Sequence, residues 1–361
     1  MRFADSGRYR RLRRFAGTLF LSALFLSTLL PAVGMMPASS ARADTLSDIQ
    51  QRGLLRCGIV DAGEGVSYLD SNGRWQGFFP DFCRFIAAAV LGNAKAVEFI
   101  QVSYVTRFDA LEGNGFDVLV GNTTWTVSRD TTRHIAFTHP LYFDGQGFLA
   151  HEQSGWTSLS DLPNEPLTAC ASEGTTTIVN LRDIIETRNL PISVLSFQSI
   201  DSVTDSFLSH DCDLLTSDRL LLVALRLQHG DAANPFTLLS DVISKEPLGP
   251  AVREDDPRWF DIVQWSIFAA LIAEEYGITS TNVPDFLNSA KPEVRRLLGL
   301  DPGIGAALGL SNEWARTAIE QVGSYGEIFD RTLGEKSALK IDRGLNALWR
   351  DGGLMYAPPL R

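Results

Sequence analysis

Short apolar runs alternate with longer amphipathic stretches from residue 54 onward, and that alternation predicts the architecture. Residues 54–60, 97–102 and 117–120 read as buried strands, each bounded by glycine, asparagine or charged residues. Between them, residues 82–91 and 107–112 carry helical spacing, the first entered through Gly77 and a Pro-Asp pair. Strand, helix, strand, helix, strand is the rhythm of an α/β lobe. After an extended run at 144–150 and a short turn at 158–162, the rhythm restarts. Strands at 167–171, 193–197 and 213–216 alternate with helices at 178–187 and 202–209. Two such units predict two similar lobes with a cleft between them. From Pro257 the pattern turns helical: residues 259–275, 292–298, a helix opened by Ser311 as cap with Trp314 inside, and a stretch from Gly344 that stops at Gly352 and Gly353. This finish is expected to pack back on a lobe.

The first 43 residues follow a different logic. Arg8, Arg10, Arg11, Arg13 and Arg14 precede a mostly apolar stretch from Phe15 to Met36, and Ala41-Arg42-Ala43 supplies small residues before Asp44. That is the pattern of a cleaved export signal, with an uncleaved anchor as the alternative. The segment carries seven Arg and one Asp, so without it the formal charge of −11 becomes −17. Such an acidic chain is unsuited to nucleic acid or an anionic membrane, both of which select a basic face.

Cys57, Cys83, Cys170 and Cys212 make an even count, which in an exported chain favours disulfides. Four cysteines allow three pairings; one staple per lobe pairs Cys57 with Cys83 and Cys170 with Cys212. Buried free thiols are the alternative. No C-x-x-C occurs and no histidine clusters with them, so neither a metal nor a cofactor is expected.

The most suggestive chemistry follows the third strand. Residues 117–120 end in Gly121, Asn122, Thr123 and Thr124, with Arg129 a few residues on. Amide and hydroxyl groups at a strand end, followed by a planar cationic fork, suit recognition of a carboxylate.

The chain resembles the family-3 solute-binding proteins of polar amino-acid ABC transporters, most nearly the general L-amino-acid-binding members. The resemblance rests on NTTWT at 122–126 with Arg129, YFDGQGF at 142–148, EGTTT at 173–177 and CDLLTSD at 212–218. QVGSYGEIF at 321–329 and RGLNALW at 343–349 add to it. It implies an α/β, two-lobed periplasmic binding protein (type II) with a ligand cleft and a helical C-terminal segment. It also implies a monomer that captures an L-amino acid and hands it to a membrane ABC permease. Carried onto this sequence, Arg129 grips the α-carboxylate, helped by Asn122 and Thr124 and, from the second lobe, by Thr175 and Thr176. Asp218 takes the α-ammonium, and Phe108 shelters the ligand side chain. The implied division is residues 44–147 and 252–361 for one lobe and 148–251 for the other, with Gly145, Gly147 and Gly249 as hinge positions.

Two departures concern the side-chain end of the pocket. The loop at 61–68 lacks the clear stacking aromatic of many relatives, leaving Val66 or Tyr68 in that role, and Gly121 stands where a larger polar residue is common. Glu64 in the same loop is near enough to favour a basic ligand or is simply solvated. A dehydratase-like enzyme on the same fold is the competing expectation, since such enzymes act on carboxylated molecules. It needs a general acid or base in the cleft, and His139 and Glu173 are the candidates.

Overall fold

The computed structural model describes residues 44–230 and 235–361; the expected signal segment, 1–43, lies outside the described residues. Two five-stranded sheets organise the molecule. In the first, the strand order is Val97–Gln101, Leu55–Ile59, Val118–Leu119, Ala251–Arg253, Ile135–Phe137. Its first three strands run parallel, and Ala251–Arg253 is antiparallel to both neighbours. In the second, the order is Ile192–Phe197, Leu167–Ser172, Leu214–Asp218, Gln146–His151, Phe236–Leu238, again with three parallel strands followed by antiparallel ones. Parallel neighbours need crossover helices, and the amphipathic stretches between the runs provide them. The two lobes thus share one construction.

The chain passes between the sheets twice, through Tyr142–Asp144 and Glu246–Leu248, which pair with each other antiparallel. The expected cuts after residues 147 and 251 fall inside strands of the second and first sheet respectively. Sheet membership instead changes at Gly145 and near Gly249. Both glycines are tightly confined: a Cβ on Gly145 would stand 2.3 Å from Val242 Cγ1, and one on Gly249 would stand 3.0 Å from Pro140 Cα. Gly147 lies within strand Gln146–His151, not at the crossing.

Cys57 on the first central strand pairs with Cys83 on helix Phe78–Leu91, with Cα atoms 6.1 Å apart. Cys170 on the second central strand pairs with Cys212, with Cα atoms 5.7 Å apart. Each bridge joins a central strand to a segment within its own lobe.

Helix Phe78–Leu91 is buried on nearly every face, since it lies between the first sheet and helix Trp314–Val322. The C-terminal segment reinforces the crossing. Helix Tyr325–Thr332 begins with a capping box between Ser324 and Glu327, and Tyr325 donates its hydroxyl to Leu141 O at 2.8 Å. Asn346 brackets the crossing strand, accepting from Phe143 N at 2.7 Å and donating to Phe143 O at 3.1 Å. The helix expected from Gly344 is not formed. Two 3-10 turns, Gly344–Asn346 and Trp349–Asp351, take its place, because Trp349 N donates to Met355 O and folds the tail back on itself. The helix expected to start at Ser311 begins at Trp314, with Glu313 as its N-cap.

Candidate functional site

The polar end of strand Val118–Leu119 and the C-terminal end of strand Leu214–Asp218 face one another across the cleft. Both are strand ends, which is where open α/β sheets present ligand-binding groups. They flank a narrow cavity of about 10 Å³, lined by Tyr104, Arg107, Asn122, Thr124, Arg129, Thr175, Thr176, Thr177, Ser217 and Asp218. Six of the seven ligand-binding residues expected from sequence therefore meet in one cavity. Phe108 is the exception. Its ring sits in the core beneath the first lobe, and the guanidinium carbons of Arg107, Arg129 and Arg133 lie 4.9, 5.1 and 5.2 Å from its centroid. It supports the cations from below instead of forming cavity wall.

Contacts from the two lobes interleave around the cavity. Asn122 donates to Asp218 Oδ2 at 2.9 Å and to the Tyr104 hydroxyl at 2.9 Å. The Thr124 and Thr176 hydroxyls lie 3.4 Å apart. Arg129 donates to Thr124 O at 2.8 Å within its own lobe and to Gly174 O at 3.5 Å across the cleft. Gly174 has a φ of +72°, and a Cβ there would stand 2.9 Å from Tyr104 O, so only glycine lets the lobes approach this closely.

Local structure leaves the charged groups available. Asp218 occupies the N-cap position of helix Arg219–His229, yet its carboxylate makes no capping bond and turns into the cavity. Thr175 is likewise the N-cap of helix Thr176–Arg188, so the positive end of that helix points at the site. The hydroxyl of Thr126 accepts from Arg129 N and fixes the turn from which the Arg129 side chain leaves.

Four wall residues were not among those expected: Tyr104, Arg107, Thr177 and Ser217. Arg107 is 1% exposed, and its Nε and Nη1 have no hydrogen-bond partner among the described residues. Its guanidinium carbon lies 4.9 Å from each of the Tyr104 and Phe108 ring centroids. Flanking aromatics at positions 104 and 108 were the available signal, since they bury a cation that a helix start would otherwise expose.

Burial sets the electrostatics. It brings Arg129 down to about 10 and, with help from the charge on Arg129, brings Arg107 down to about 9; both remain cations at neutral pH. Burial pushes the Asp218 carboxyl well above the usual carboxylate range, and the negative charges of Asp144 and Glu246 push it further. Asp144 is raised chiefly by its own burial. An acid raised in the folded state holds a proton that the unfolded chain has released. These two groups therefore make folded stability fall as the pH rises from about 5 to about 8. Asp144→Asn should remove part of that decline, so its stability relative to wild type should grow with pH in urea unfolding of the ligand-free protein. A difference that stays flat across that range would contradict the assignment.

The candidates for acid or base catalysis stand elsewhere. His139 hydrogen-bonds Pro140 O at 2.7 Å and packs edge-on against Phe268, while Glu173 accepts from Ser196 at 3.2 Å; neither lines the cavity. Glu64 and Tyr68 line a separate, wider cleft beside helix Ile200–Leu208, and Val66 is buried in the core. Gly121 is buried, and a Cβ built on it meets only Thr123 Oγ1 at 4.0 Å.

Comparisons with known proteins agree with this geometry. The chain is 43% identical over 334 residues to the general L-amino acid-binding periplasmic protein AapJ of Rhizobium johnstonii, covering 91% of this chain and 96% of that one. It is 42% identical over 331 residues to the glutamate/glutamine/aspartate/asparagine-binding protein BztA of Rhodobacter capsulatus, covering 91% and 97%. A periplasmic binding protein from Brucella ovis, solved with glutathione bound, superposes with a TM-score of 0.84 at 41% identity, covering 88% of this chain and 100% of that one. Residues 55–280 match the model of one family throughout, and the chain belongs to it: the bacterial extracellular solute-binding proteins, family 3.

Proposed function

We propose that this protein captures an L-amino acid between its lobes, in the periplasm, and delivers it to an ABC permease. The observation that carries the reading is one cavity between the lobes with a half-buried cation from one lobe, Arg129, and a buried carboxyl group from the other, Asp218. A zwitterion matches that pair at both ends. Its α-carboxylate takes the free edge of the Arg129 guanidinium and the amide-rich start of helix Thr176–Arg188, with Thr124, Thr175 and Thr176 supplying hydroxyls. Its α-ammonium takes Asp218, which Asn122 holds in place. The related proteins named above are binding components, and two of them carry amino acids in their names.

A zwitterionic ligand stabilises the closed arrangement. Without a ligand, burial and the charges of Asp144 and Glu246 hold the Asp218 carboxyl towards its neutral, protonated form. A bound ammonium reverses that preference. Charge-assisted hydrogen bonds of about 1.5–3 kcal/mol each are together enough for binding near −8 kcal/mol, about micromolar. The hinge lies at the paired crossing strands, with Gly145 and Gly249 as the confined positions at their ends.

The competing enzyme reading has less support, because both proposed acid–base residues stand outside the cavity and the named relatives are binding proteins. The test is a melting-shift panel of L-amino acids on the purified mature protein. Ligands of the site should raise the midpoint progressively with excess ligand. A panel with no shift, or turnover of a cyclic carboxylated substrate, would overturn the binding reading.

A further inference from the structure

Three carboxyl groups meet where the crossing strands reach the cavity. Asp218 is 6% exposed and Glu246 is 2% exposed. The half-buried Asp144 stands directly opposite Glu246 in the paired crossing strands. Among the described residues, no ion pair involves any of the three. Hydrogen-bond donors are shared unequally between them. Glu246 accepts from Thr176, Asn180 and Ser244. Asp144 accepts from Leu220 N at 2.9 Å, and so caps helix Arg219–His229 in place of Asp218. Asp218 accepts from Asn122 alone among the described residues. Arg107 and Arg129 from the first lobe, and Arg219 beside Asp144, favour ionisation from beyond ion-pair distance. The Tyr104 hydroxyl, bonded to Asn122, is held neutral by burial. Like charges directly opposite in a ladder repel, and a buried carboxyl with neither cation nor full set of donors keeps its proton. Asp218 is the carboxyl of the three that fits that description.

We propose that the ligand's ammonium takes the place of a proton on Asp218, so that capture of an amino acid near neutral pH releases a proton to solvent. The inference rests on the amino-acid-binding reading above and deepens it. The ammonium keeps its three protons. The O–H bond of the Asp218 carboxyl breaks, its electron pair stays on the carboxylate oxygen, and the proton passes to the buffer. Asp144 and Glu246, fixed on the crossing strands, supply the negative charge that holds the empty site protonated. Capture is therefore opposed by acid. Burial and those two charges raise Asp218 above the usual carboxylate range in the ligand-free protein, whereas a bound ammonium lowers it. Affinity then rises with pH until Asp218 of the free protein is itself ionised.

Calorimetric titration in buffers of different ionisation enthalpy counts the protons. The probes are L-glutamine and L-glutamate, or the strongest binder of the melting-shift panel where neither binds. At pH 7 the apparent heat should change with the buffer, in the direction of release. From pH 6 to pH 7 the affinity should rise by about fivefold to tenfold, about tenfold being the limit for one linked proton. Asp144 does not line the cavity, so Asp144→Asn should bind the same probe. With one of the two neighbouring charges gone, its proton release should fade at a lower pH than in the wild type. If that variant does not fold, the wild-type count decides alone. Heats that do not depend on the buffer, or an affinity flat from pH 6 to pH 7, would overturn the inference and leave amino-acid binding standing. So would a release profile that Asp144→Asn leaves unmoved, since the proton would then come from outside this cluster. Failure of both probes and of the whole panel would overturn the binding function itself and the inference with it.

Discussion

Arg129→Gln is expected to weaken every amino-acid ligand by about thirtyfold to several thousandfold, the equivalent of about 2–5 kcal/mol for truncating one partner of a buried charge pair. The loss should be uniform across ligands, because the α-carboxylate is common to them all. Arg129→Lys should fall between. It keeps the charge but loses the planar fork that donates to Thr124 O and offers its other edge to the cavity. Folding should be affected much less than binding, since among the described residues the side chain makes two hydrogen bonds, both to backbone carbonyls. Calorimetric titration of both variants checks the ordering. An Arg129→Gln protein that binds within threefold of wild type would remove this residue from the site.

Asp218→Asn separates binding from stability by sign. The substitution removes the anion that receives the ammonium, so ligand affinity should fall by about thirtyfold or more, again at the scale of a broken buried pair. The ligand-free protein should meanwhile become more stable near pH 8, because a buried carboxylate beside Asp144 and Glu246 is gone. A higher melting midpoint with a smaller ligand-induced shift is the expected signature. A lower midpoint with an intact ligand shift would assign Asp218 a structural role.

The lobes were legible because their strands are mostly apolar runs: Leu55–Ile59 and Leu167–Ser172 are interior strands, buried along most of their length. Most of the cavity was legible too, since Asn122, Thr124, Arg129, Thr175, Thr176 and Asp218 lie at strand ends or helix starts next to those runs. The crossing was harder to read. Tyr142–Asp144 and Glu246–Leu248 are three residues each, and their acids, the half-buried Asp144 and the buried Glu246, break the apolar pattern that marks a strand. Arg107, marked only by its flanking aromatics, was missed for a related reason. An arginine that opens a six-residue helix reads as solvated, and only the tertiary placement of Tyr104, Phe108 and Gly174 buries it. Phe108 failed in the opposite direction: an aromatic near the site lies under the arginines and out of the cavity.

The central claim is that the cavity recognises a zwitterion from both lobes at once. Titrating the wild-type protein with its best L-amino acid, then with the decarboxylated amine and the deaminated acid of the same side chain, isolates the two ends. The account predicts measurable binding for the intact amino acid, and for each truncated ligand a loss of about a hundredfold or more, equivalent to about 2.7 kcal/mol. Binding of either truncated ligand within a few-fold of the amino acid would contradict it.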